Sequence, residues 1–119
     1  MNGLNSFMKF DWDNFSADKE FTVKSVSDWT DYHTKEKLGI KVEVVISKDD
    51  TVYPSKSGKE ISNIYESLFF KVKKDIDVPP KKKIIPVNAN VTAYGLDRNG
   101  NFSSFLNCLS IVCDDISFV

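Results

Sequence analysis

Between residues 38 and 46 apolar and polar side chains alternate: Leu38, Ile40, Val42, Val44 and Ile46 fall on one face, Lys41, Glu43 and Ser47 on the other. A period of two in so β-branched a stretch predicts a half-buried strand. Four weaker alternations flank it. Over residues 20–30, Phe21 and Val23 are followed by Val26, a single break of phase that predicts a bulge. Such a bent first strand suits the closing of a small barrel. Over residues 64–72, Ile64, Leu68, Phe70 and Val72 share one face and Tyr65, Phe69, Lys71 and Lys73 the other. Over residues 87–94, Val87, Ala89, Val91 and Ala93 alternate with Asn88, Asn90, Thr92 and Tyr94; over residues 106–118, Leu109, Ile111 and Cys113 align, with a phase slip before Ile116 and Phe118.

The connections carry turn chemistry. DDTVYPSKSGKEIS, residues 49–62, predicts a long charged loop, and Asn99-Gly100 a hairpin tip. In DIDVPPKKKIIP the prolines exclude a regular helix and leave an extended crossover. Residues 1–19 mix Phe7, Phe10, Trp12 and Phe15 with Asp and Asn in neither period, which predicts an extended arm packing on a domain of residues 20–119. The expectation is therefore an all-β domain with little or no helix, a five-stranded Greek-key barrel of the oligonucleotide-binding (OB) type. A sandwich would need about seven short strands.

Length and composition fit one folded core: 119 residues, 41% hydrophobic and 13% aromatic. No window holds the roughly 18 apolar residues of a membrane helix, and the start lacks a signal-peptide run, so a cytoplasmic protein is expected. Cys108 and Cys113 are too few for a disulfide framework, and their odd spacing sends them to opposite faces of a strand. Catalytic chemistry finds no support. His33 stands alone in a polar turn, Asp49-Asp50 and Asp114-Asp115 are adjacent pairs whose members point apart, and the five glycines are scattered. No enzyme activity and no cofactor or metal is expected.

The net charge of −1 does not favour nucleic acid globally, but the lysines cluster at Lys35/Lys37/Lys41, Lys71/Lys73/Lys74 and Lys81/Lys82/Lys83, and Arg98 is the sole arginine. Lys is a point charge, suited to a phosphate backbone and not to reading base edges. On the polar face of the third strand Tyr65, Phe69, Lys71 and Lys73, with Lys41 beside them, offer rings for stacking and cations for phosphates. Trp29 and Tyr32 with Lys35 and Lys37 belong to the first-to-second-strand connection; Tyr53, Lys56, Lys59, Arg98 and Phe102 complete a rim. The alternative is that the same rings form core or a protein interface, making the chain a non-catalytic accessory module of a phage. Lys81–Lys83 reads as a solvated crossover before a localisation patch, and DDISFV as the last strand before a free acidic tip.

The stretches WTDYHTKEKLGIKVEVVISKDD, ESLFFKVKKDIDVPP and PVNANVTAYG with FLNCLSIVCDDISF resemble small OB-fold proteins of Gram-positive phages, most closely the single-stranded DNA-binding proteins of lactococcal phages. The resemblance covers roughly residues 20–118. It implies an OB barrel coating single-stranded DNA in phage replication and recombination in the infected host's cytoplasm. It also implies a homo-oligomer, a dimer by preference, beside a RecA-like recombinase. One departure is that many OB folds carry a helix between strands 3 and 4, for which the proline-rich crossover leaves no room.

Overall fold

The computed structural model describes residues 1–54 and 61–119. Among these residues seven strands follow in chain order: β1 (Lys19–Thr30), β2 (Lys37–Asp49), β3 (Ser67–Val72), β4 (Ile84–Val87), β5 (Asn90–Tyr94), β6 (Cys108–Cys113) and β7 (Asp115–Phe118). The first sheet has the order β1-β2-β3-β6-β5, antiparallel except where β3 runs parallel to β6; β4 and β7 pair antiparallel as a second sheet. The described residues are thus all-β apart from a 3-10 turn at Leu4–Phe7 and one short helix, α1 (Trp12–Ala17). No helix among the described residues is long and apolar enough to cross a membrane.

β2 is the spine, laddered to β1 on one side and β3 on the other. Its alternation becomes burial: Ile40, Val42, Val44 and Ile46 sit in one core with Phe21, Val23, Phe70, Val72, Ile84, Ile111 and Cys113. Leu38 stays exposed, because the ladder to β3 begins only at Ile40. The predicted bulge in β1 is a register shift between Val23 and Ser25. At the predicted hairpin tip Gly100 takes φ +81°, its amide donates to the Asp97 carbonyl at 3.1 Å, and the Asp97 carboxylate accepts from the amides of Asn99 and Asn101.

Among the described residues seven strands stand where five were expected, five of them in the first sheet, because the β4–β7 pairing is one that alternation cannot register. The phase slip before Ile116 is the point where the chain leaves β6 and crosses to β4 as β7. Its partner lies inside the proline-rich crossover, where Pro86 faces Ile116 on a two-stranded ribbon with room for a residue lacking an N–H. Neither ladder closes on itself.

The N-terminal arm packs on the core as expected, but as a helix and not extended. Asp11 caps α1 by accepting from the Asn14 amide. Trp12 stacks on Phe21 at 5.4 Å and meets Phe70 edge-on at 6.0 Å, while Phe10 and Phe15 touch at 5.2 Å. Packing of these partly buried rings against the core, more than propensity, holds so short a helix.

Beside α1 lies a buried ion pair that no local pattern announces. The side chains of Lys19 and Asp49 are both fully buried, with Nζ 3.2 Å from the carboxylate. Lys19 also donates to the Phe15 carbonyl at 2.8 Å and the Thr51 hydroxyl at 3.0 Å. The Asp49 carboxylate accepts from the Asn63 amide at 2.7 Å and the Tyr53 hydroxyl at 2.9 Å. The cluster ties the helix to both ends of the long loop after β2.

Gly39 has a specific duty at the start of β2. Its φ is +157°, and a Cβ there would run into the backbone carbonyl of Val72 on the neighbouring strand. A carbonyl inside a ladder cannot move aside. Gly39→Ala is therefore expected to lower stability by about 1–3 kcal/mol, read as a fall in the thermal midpoint. An unchanged midpoint would show that β2 and β3 are not held this closely.

Candidate nucleic-acid interface

The first sheet's outward face presents cross-strand rows. One runs Ser27–Lys41–Lys71, from Ser27 opposite Lys41 and Lys41 opposite Lys71; the next runs Ser25–Glu43–Phe69. Trp29, opposite Gly39, stands beyond the first row. Like charges directly opposite each other repel, and Lys41 and Lys71 answer by turning toward rings. Lys41 Nζ lies 5.1 Å from the Phe69 centroid and Lys71 Nζ 5.8 Å from that of Trp29. Neither has a carboxylate within ion-pair distance among the described residues. The one acid in these rows, Glu43, is engaged by the Ser25 hydroxyl at 3.1 Å and by Lys24 at 3.9 Å.

Four expected residues, Trp29, Lys41, Phe69 and Lys71, thus form one interlocked unit. Phe69 keeps 44% of its surface exposed, although its strand neighbours Phe70 and Val72 are fully buried. Phe69 is therefore outside the core.

At one end of this face the turn over residues 31–36 holds Tyr32 and Lys35 together, with Lys35 Nζ 5.1 Å from the ring and Tyr32 exposed. The turn is fixed by Asp31, whose carboxylate accepts from the amides of Thr34 and His33; these bonds hold its pKa below the ordinary carboxylate value. At the opposite end, a groove of about 640 Å³ opens between Phe69, Leu68 and the segment carrying Phe105 and Leu106. Phe105 and Leu106 are exposed and were not among the expected residues. Their only sequence signal is a pair of large apolar side chains amid Ser and Asn in a turn-rich stretch.

The other expected residues stand apart. Tyr65 precedes β3 in a turn at φ +69°, so the strand's alternation does not reach it; it is exposed but off the rows. Lys37 lies 2.9 Å from Asp75 and 3.2 Å from Asp28; the Asp75 contact, then the Asp28 one, raises its pKa and commits its charge within the protein. Lys73 faces Asp114 at 3.8 Å, an exposed pair worth little. Arg98 is exposed on the hairpin tip, and Phe102 sits across that hairpin from Leu96. Tyr53 turns inward to Asp49 and leaves the rim. Lys56 and Lys59 lie outside the described residues. Both cysteines are free, and burial pushes the Cys113 thiol up to about 11.

Compared with protein-family models, curated proteins and solved structures, the chain matches none of them.

Proposed function

We propose that this chain is a non-enzymatic, sequence-tolerant binder of single-stranded DNA that acts in phage DNA replication and recombination, on a scaffold of the OB type. The observation that carries the reading is the unit formed by Trp29, Lys41, Phe69 and Lys71 on the outward face of β1–β3. Stacking an unpaired base on an aromatic ring contributes about 1–3 kcal/mol. An exposed cation–π contact contributes only about 0.5–1 kcal/mol, so each lysine can leave its ring for a phosphate as a base takes its place. Nothing in the unit forks to meet base edges, hence the tolerance of sequence.

The OB reading draws on the strand order, with β3 parallel to β6, and on the crossover at residues 81–83, which bridges to β1. The ends of the proposed track are the 31–36 turn and the segment bearing Phe105. The resemblance adds a homodimer and a RecA-like recombinase partner to the proposal.

A fluorescence titration with an unstructured oligonucleotide at two salt concentrations tests it. Affinity is expected to fall as salt rises, the logarithm of the binding constant losing about 0.7 per phosphate contact for each tenfold rise, and to exceed affinity for duplex. Binding no tighter than to duplex would defeat the proposal. The second reading, an accessory module with an aromatic interface, draws on the exposed Phe102, Phe105 and Leu106.

A further inference from the structure

Resting on the DNA-binding reading, we infer that Lys81 and Lys82 are a second phosphate-binding platform, over which a bound single strand runs as it leaves the sheet across the β1 edge. The run looks in sequence like a solvated linker, but the fold docks it. Val23 in β1 uses its outer backbone groups on it: its amide donates to the Lys82 carbonyl at 2.8 Å, and its carbonyl accepts from the Lys81 amide at 2.9 Å. One residue on, Lys83 stands directly opposite Thr22. Residues opposite each other in a ladder share a face, and Thr22 is itself opposite Val45, which is opposite Ser67. The row Lys83–Thr22–Val45–Ser67 therefore lies beside the row ending in Phe69 and places Lys83 on that outward surface, while the exposed Lys81 and Lys82 flank it along the β1 edge.

The charges divide in a telling way. Lys83 is held by Glu20 at 3.0 Å, and Lys24, at the bulge beside this segment, leans toward Glu43 at 3.9 Å. Lys81 and Lys82 are exposed and have no carboxylate within ion-pair distance among the described residues. Lys81 is also held at φ +69°, a left-handed conformation that a non-glycine residue keeps only when its surroundings impose it. Pro79 and Pro80 before it stiffen the approach. Two uncommitted ammonium groups on a docked, stiffened turn flanking a face of rings and lysines make a built continuation of that face for a polyanion.

The test compares wild type with Lys81→Gln/Lys82→Gln, exposed changes that keep the aliphatic stems. Each protein is titrated with oligothymidylates of about 5 and about 20 nucleotides across a salt series. The expected result is that the long oligonucleotide binds the variant about tenfold more weakly, with the salt slope reduced by about 1.4 for two lost phosphate contacts. The short one, covering only the sheet, should bind both proteins alike. An unchanged slope and affinity for the long oligonucleotide would overturn the inference. If Trp29→Ala/Phe69→Ala abolishes binding in that same case, the sheet-face reading stands and only the platform falls; wild type binding neither oligonucleotide would overturn both.

Discussion

Alanine at both Trp29 and Phe69 should nearly abolish binding of an unstructured oligonucleotide while leaving the fold in place. At about 1–3 kcal/mol per stacked base, the pair is worth about 2–6 kcal/mol, a loss from roughly thirtyfold to beyond ten-thousandfold. Trp29 is opposite Gly39 and Phe69 opposite Glu43, four residues apart on β2 at about 3.3 Å per residue, so the two rings do not touch and any departure from additivity runs through Lys41 and Lys71. Stability should change little from the Phe69 side, since that ring is 44% exposed and leaves no cavity in the core. The same variant separates the two functional readings. Loss of DNA binding from a protein whose oligomeric state is unchanged supports the stacking face; retained binding with dissociation of the oligomer supports a protein interface. Affinity within twofold of wild type would remove the physical basis of the DNA reading.

What the alternation of residues made legible was whatever depends on nearest neighbours along one strand. The buried set of β2, the bulge after Val23 and the separation of Phe69 from Phe70 all follow from a period of two imposed on one wet and one dry face. The site unit was legible for that reason, because Lys41, Phe69 and Lys71 occupy the polar phase of their strands. Tyr65 has the same phase as Phe69 in the sequence but stands off the rows because it is itself a left-handed turn residue just before the strand's start, which resets the direction of its side chain. Lys37 and Lys73 have the charge and position expected of them, but their fate is decided by Asp75, Asp28 and Asp114 from other segments. The β4–β7 ribbon stayed hidden because its strands are four residues each and meet only in three dimensions, one of them containing a proline. Helix α1 stayed hidden because little more than one turn carries no period; its support is Trp12 on Phe21.

The Lys19–Asp49 pair was beyond sequence reading for the same reason, and it makes the largest stability prediction. In Asp49→Ala the Lys19 ammonium remains buried without its counter-charge, a loss expected to cost about 3–5 kcal/mol. Against a total of about 5–15 kcal/mol for a domain, that is enough to place part of the population in the unfolded state. Tyr53→Phe removes only one hydrogen bond to the carboxylate and should cost less, about 1.5–3 kcal/mol. Acid provides an independent check. Burial alone would raise the Asp49 pKa, but the Asn63 amide, the Tyr53 hydroxyl, the Thr51 amide and Lys19 outweigh it and lower the value from 3.8 to about 2. A carboxyl whose pKa is depressed on folding stabilises the fold fully above its unfolded value, and that contribution drains away as pH falls toward the folded one. Wild type should therefore lose stability between about pH 4 and pH 2 more steeply than Asp49→Ala, and the gap between them, measured by denaturant unfolding, should narrow across that window. A gap that stays constant to pH 2, or an alanine variant within 1 kcal/mol of wild type at neutral pH, would mean that the carboxylate is not buried on the ammonium and that the long loop is anchored by something else.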